Sequence, residues 1–309
     1  MKMFAGLGAL SAGAVLIGAI LAAPAGALSQ NPPVIRVQTD LVSIFASVLD
    51  ANGQPVIDLT KDDFQISENG VPQKIVRFES QTGRPLDLAL MLDTSGSEYM
   101  DLKFEADAAQ RFIAKIVRPG DLLGFFEFDE DVTQIGTFTD NVKELQADVR
   151  RIEPGAGTSM YDAIVLGSKA LERLPQGRRR AIVLVTDAGE TTSVSNFPDA
   201  RRAAIASGAL LYSVIVRAVK NENGRNTGGE HALITITDST GGALYFLDDV
   251  RQVPKMFSRI DRELRTQYLI GYYPYPSPAP GSDRHLLLTV KGGYTVHYKK
   301  EYFAGAAQD

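Results

Sequence analysis

The 309-residue chain contains no cysteine, so neither a disulfide framework nor a lipidated cysteine anchor is open to it. That absence is compatible with an oxidising compartment without demonstrating one. Histidine is scarce. His231, His285 and His297 are the only three, and their scatter supplies no zinc-ligand spacing. The same scarcity leaves a serine nucleophile without an evident base. The chain also holds neither a G-x-S-x-G elbow nor a P-loop. Positive charge is thin: the formal net charge is −5, which argues against a nucleic-acid partner, for which a basic face is expected. The one dense basic run, Arg178-Arg179-Arg180, stands just before a predicted strand and reads as a solvated loop. No internal repeat is present.

What remains is the composition of a folded protein, 44% hydrophobic and 22% charged, long enough for one large domain or two ordinary ones. Residues 1–27 read as a targeting segment. Lys2 gives a minimal positive start, Met3 to Ala23 is apolar, and Pro24 leads into Ala25-Gly26-Ala27, an A-x-A-like cleavage site. The apolar stretch is rich in Gly and Ala and somewhat long for a cleaved signal, so a signal peptide and a retained membrane anchor both stay open. The expectation is an exported protein, in the periplasm or cell envelope or secreted, that meets a membrane only through this segment. Lys2 is its one charge, so cleavage would take the net charge from −5 to −6.

Residues 34–82 read as β structure. Val37 to Leu49 is a long run with partial alternation ending in the turn Asp50-Ala51-Asn52-Gly53, and Asn69-Gly70 marks a hairpin. From Leu86 the rhythm changes. The near-continuous apolar runs Leu86–Leu92, Leu122–Phe128, Ala181–Thr186 and Leu210–Val216 predict buried strands. Helix-length amphipathic segments alternate with them at Leu102–Val117, Val142–Ile152, Met160–Leu174 and Pro198–Ser207. Val132–Phe138 suits an antiparallel edge. This alternation predicts an α/β fold, a mostly parallel sheet flanked by helices, over residues 85–250. Residues 251–303 follow as a helix (Val253–Arg265) and the strands Thr266–Tyr273, Arg284–Val290 and Tyr294–Tyr302. These closing strands are expected to pack with the opening ones, so that the α/β domain is inserted in a small β domain.

Three segments carry candidate chemistry. Asp93-Thr94-Ser95-Gly96-Ser97 ends an apolar strand and delivers a carboxylate and two hydroxyls at alternate positions, which point the same way on extended backbone. Gly155-Ala156-Gly157-Thr158 places a hydroxyl in a glycine-rich loop opening a helix. Thr186-Asp187 places a second carboxylate at another strand's end. In an open α/β sheet the loops at the carboxyl ends of the strands meet at the switch point. Oxygen donors of low charge suit a hard divalent cation, Mg²⁺ or Mn²⁺. Asp-x-Ser-x-Ser alone is weak, arising by chance in roughly one chain of this length in ten. Ser95 and Ser97 could instead cap the helix starting near Met100, and Thr158 the helix after it.

These residues resemble the von Willebrand factor A domain and its metal-ion-dependent adhesion site, over about Pro85 to Val250. The family commonly follows its last motif carboxylate with glycine, whereas this chain has Asp187-Ala188-Gly189. The flanks Val56 to Phe64 and Gln267 to Pro274 are similar to exported A-domain-related proteins first grouped from acidobacterial genomes. The resemblance implies a metal held by Asp93, Ser95, Ser97, Thr158 and Asp187. Ser95 and Ser97 would bind directly, Thr158 directly or through water, and the two aspartates largely through waters or hydroxyls. It implies a non-enzymatic, metal-dependent protein-binding or adhesion module whose partner offers an acidic side chain to the cation. The alternatives are a hydrolase, or an A-domain assembly subunit whose metal is structural. Glu98, Asp162 and Glu190 beside the motifs read as supporting or surface residues.

Overall fold

The computed structural model describes residues 41–80, 83–96, 99–216 and 227–305. The predicted targeting segment, the part of the first predicted strand before Leu41, Ser97 and Glu98 of the motif, and residues 217–226 lie outside them.

The chain opens with β1 (Val42–Leu49), β2 (Phe64–Glu68), β3 (Val71–Gln73) and β4 (Ile75–Glu79). Alternation follows through β5 (Leu86–Asp93), α1 (Tyr99–Ile116), β6 (Leu122–Phe128), β7 (Val132–Thr139), α2 (Val142–Val149) and α3 (Met160–Glu172). It continues through β8 (Arg179–Thr186), α4 (Phe197–Ser207), β9 (Leu210–Val216), α5 (Thr227–Thr240), β10 (Ala243–Leu247) and α6 (Val253–Arg265). The chain closes with β11 (Tyr268–Tyr272), β12 (Asp283–Val290), β13 (Thr295–Tyr298) and β14 (Glu301–Phe303).

The central sheet runs β10-β9-β8-β5-β6-β7, parallel except for β7 at the edge. Every residue of β5 is buried, and its side chains feed two cores because neighbours along a strand leave opposite faces. Leu86, Leu88, Leu90 and Leu92 meet Phe112 and Ile113 of α1 and Phe257 of α6. Ala89 and Met91 meet Met160 and Ile164 of α3 and Leu233 of α5. β8 repeats the division, with Val183 and Val185 on one side and Ile182 and Leu184 on the other. This two-sided burial is why these strands read as unbroken apolar runs. Each buried leucine contributes roughly 1.5–3 kcal/mol. Phe112 and Phe257 stack with centroids 4.5 Å apart, locking α6 onto α1.

The strands before and after this domain interleave in two four-stranded sheets, β13-β1-β11-β4 and β14-β12-β2-β3. β1 lies antiparallel to β11, with Val42 opposite Tyr272, so the two ends of the chain share one ladder. Ile44, Phe64, Ile270, Tyr272 and Leu288 fill the space between the sheets. Glu68 is buried there and accepts hydrogen bonds from Arg284 Nε at 2.6 Å, Tyr302 Oη at 2.8 Å and Tyr272 Oη.

Two sequence expectations change. Tyr294–Tyr302 is not one strand: β13 pairs with β1 and β14 with β12, so the run breaks at Lys299-Lys300 where the chain crosses between sheets. The arginine run is not a solvated loop either. Arg179 is buried, Arg178 Nε donates to Asp87 Oδ1 at 2.6 Å, and Arg180 caps carbonyls at Leu174 and Ser207 at 3.0 and 3.1 Å. Helix C-termini leave carbonyls without partners, and guanidinium groups satisfy them. Among the described residues, no helix is long and apolar enough to cross a membrane.

Candidate metal site

β5 and β8 are adjacent and parallel, and the chain leaves them towards opposite edges of the sheet, so their carboxyl ends flank the switch point. Asp93 ends β5 and Thr186 ends β8. A short parallel bridge between Ser95 and Gly155 draws in the third segment, with Gly155 N donating to Thr94 O at 3.0 Å and Gly96 N to Gly155 O at 3.3 Å. Glycine is required at position 155. A Cβ there would fall 1.7 Å from Asp129 Oδ2.

The hydroxyls form a chain that ends on Asp93. Thr158 Oγ1 donates to Ser95 Oγ at 2.7 Å, Ser95 Oγ donates to Asp93 Oδ1, and the Ser95 amide reaches the same oxygen at 3.0 Å. Oδ2 accepts from Thr186 Oγ1 at 2.5 Å. Thr158 is therefore not spent as a helix cap; Ser159 holds that position. The Thr158 backbone is clamped from the next loop, its amide donating to Thr191 Oγ1 at 2.8 Å and its carbonyl accepting from Thr191 N at 2.9 Å.

Asp187 is exposed, and its Oδ1 accepts from Gly189 N at 2.8 Å. A Cβ on Gly189 would stand 3.0 Å from both Asp187 Oδ1 and Thr158 Oγ1, so those two oxygens flank one glycine. The structure thus brings Asp93, Ser95 and Thr158 into hydrogen-bonded contact and sets Asp187 beside Thr158. Ser97 lies outside the described residues.

The departure at Ala188 has a structural counterpart. Ala188 is buried and takes φ +66°, the left-handed region that glycine occupies freely. Its amide donates to Thr186 Oγ1 at 2.9 Å, which leaves the Thr186 proton for Asp93. Thr186 is the residue whose role the sequence reading passed over. Its signal was a hydroxyl directly before the strand-end aspartate. Among the described residues, Asp162 and Glu190 form no hydrogen bond with the side chains of Asp93, Thr158 or Asp187. Asp162 accepts from the amides of Val194 and Ser195, and Glu190 from Tyr161 N and Ser193, which fastens the loop after β8 to the start of α3.

Burial pushes the Asp93 carboxyl up to about 7; the Ser95 and Thr186 hydrogen bonds oppose that rise and the Asp187 charge adds to it. Neither aspartate has a lysine, arginine or histidine partner among the described residues. Among the described residues, no group of three His, Cys, Asp or Glu side chains is gathered to hold a metal. The donors are hydroxyls plus two carboxylates with no protein counter-charge, and that all-oxygen, net-negative set fits a hard divalent cation.

Residues 88–190 match the family model of the von Willebrand factor type A domain, and this chain carries such a domain. The von Willebrand factor type A protein of Catenulispora acidiphila is 12% identical with a TM-score of 0.50, over 86% of this chain and 72% of that one. The conserved hypothetical protein BatB of Bacteroides thetaiotaomicron aligns at 18% identity and a TM-score of 0.46, over 59% of this chain and 100% of its own. The vWF domain of the type V pili tip protein Mfa5 from Porphyromonas gingivalis aligns at 12% identity and 0.48, over 59% and 96%. The likeness to the first is one of fold. No curated protein matches the chain.

Proposed function

We propose that this protein is an exported, divalent-cation-dependent protein-binding module of the adhesion type. Asp93, Ser95, Ser97, Thr158 and Asp187 would hold Mg²⁺ or Mn²⁺, and a partner protein would offer an acidic side chain to the ion. One observation carries the reading: hydroxyls from two separate loops hand their protons towards a buried carboxylate that has no cationic partner among the described residues. A cation bound among mostly neutral oxygens keeps much of its charge and supplies electrostatic attraction for a carboxylate. Export rests on the apolar N-terminal segment with its A-x-A-like end. No residue is assigned a catalytic role, because no histidine stands among the motif residues to activate a serine.

The test is capture of partners from an envelope extract by wild type and Asp93→Ala, each with Mg²⁺ and with EDTA. Capture by wild type in Mg²⁺ alone is the expected result. Capture that ignores both the substitution and the chelator would sink the reading. Hydrolytic turnover lost in Ser97→Ala would favour a hydrolase. A chelator that lowers stability but leaves capture intact would assign the metal a structural part.

A further inference from the structure

A second polar site lies at the other edge of the central sheet, where the strands begin. A cavity of about 260 Å³ is lined by Arg84, Arg118, Asp121, Arg179 and Arg265. These residues come from the entry to β5, the end of α1, the start of β8 and the end of α6. Four guanidinium groups therefore face one carboxylate.

The existing partners of Arg118, Arg179 and Arg265 leave donors over. Asp121 is already engaged: Oδ1 accepts from Leu86 N at 2.8 Å, and Oδ2 accepts from Arg118 N at 3.0 Å and Arg265 Nη2 at 2.7 Å. Arg179 spends Nε on Arg84 O at 2.7 Å and Nη1 on Leu264 O, and its Nη2 has no acceptor among the described residues. Arg84 gives Nη1 to Gly177 O at 2.9 Å and lies 3.9 Å from Glu79. The Arg265 side chain is 8% exposed, and its Nε is buried with no hydrogen-bond partner. The Arg118 guanidinium has no partner among the described residues. Burial lowers the Arg179 pKa to about 10, and repulsion from Arg265 and Arg118 adds to the fall while Asp121 opposes it. A buried guanidinium donor left unmatched is costly, and Arg265 Nε is such a donor, so an anion in the cavity would be favoured.

We propose that this arginine-lined cavity binds a phosphoryl dianion, either free inorganic phosphate or the terminal group of a small phosphomonoester. Arg179 of β8 and Arg265 of α6 bring spare donors from the cavity wall, and Arg118, exposed just beyond the end of α1, adds a third guanidinium. That arrangement suits three terminal oxygens and two charges better than a carboxylate's two oxygens and one. The cavity sits where the chain enters the α/β domain at Gly83 to Pro85 and leaves it at Arg265. A bound dianion would tie the two crossings together. The inference is independent of the metal reading.

Calorimetry and thermal melts of the full-length protein in EDTA, which takes the metal site out of play, provide the test. Inorganic phosphate, glycerol phosphate and acetate are compared with chloride at matched ionic strength. Saturable phosphate binding and a raised melting temperature are expected, with acetate no better than chloride. Binding of glycerol phosphate as well would identify an ester's terminal group as the ligand, and its failure the free ion. Arg118→Gln should weaken phosphate binding about tenfold while melting like wild type in chloride. Should that variant prove less stable, Arg118→Lys keeps the charge without the fork and is expected to fall between the two. Phosphate that does no more than chloride, acetate that equals phosphate, or undiminished binding by Arg118→Gln would overturn the proposal.

Discussion

Asp93 accepts from Ser95, just beyond β5, and from Thr186 at the end of β8, and two threonine substitutions permit separable outcomes. Thr186→Val removes the proton on Oδ2 and leaves a buried carboxylate oxygen short of a partner, a cost of about 1–3 kcal/mol. It should therefore lower metal-free stability in urea as well as Mg²⁺ affinity. Thr158→Val removes a hydroxyl that lies one link further away, and is expected to weaken Mg²⁺ binding in calorimetry with a smaller effect in urea. Ala188→Val puts a β-branched residue at φ +66° in a buried site and should cost about 3 kcal/mol. Asp93, Ser95 and Thr158 were legible in the sequence because alternation and a glycine-rich loop mark them. Thr186 was not, since its role depends on β8 lying beside β5. The arginines at 178–180 misled for a similar reason. Their acceptors are backbone carbonyls at the ends of distant helices, which no side-chain pattern records.

Elements were read best where burial is two-sided. β5, β6, β8 and β9 appear as continuous apolar runs because both faces meet helices, and their ends match the reading within two residues. β13 and β14 were fused because both lie on extended backbone and differ only in their partners. The loop carrying Thr158 depends on a single small residue. Gly155→Ala would drive a methyl group against Asp129 and push that loop off its bridge to Ser95. The expected result is a large loss of Mg²⁺ affinity with far-UV circular dichroism unchanged. An affinity equal to wild type would show that the bridge does not set the donor positions.

At the scale of the molecule, ligands of the native state add to its stability by linkage. Mg²⁺ at a hundred times its Kd is expected to add about 2.7 kcal/mol, and the gain should vanish in EDTA or in Asp93→Asn, as read by chemical denaturation. The α/β fold class was legible from the alternation, and so was its place between β segments. The strand order within those segments was not, because pairing between residues more than two hundred apart leaves no local trace. A chain ending at Arg265 would leave β1 and β4 without β11, the strand that separates them. Such a truncation is expected to aggregate or to lose its N-terminal strands to limited proteolysis, whereas the full chain resists both. The same ladder has a mechanical meaning. If a partner grips the Asp93 end of the sheet while the chain is held ahead of β1, part of the tension passes from β1 into β11 through a row of hydrogen bonds. Such a row resists sliding together instead of peeling open one at a time, so this joint would withstand shear.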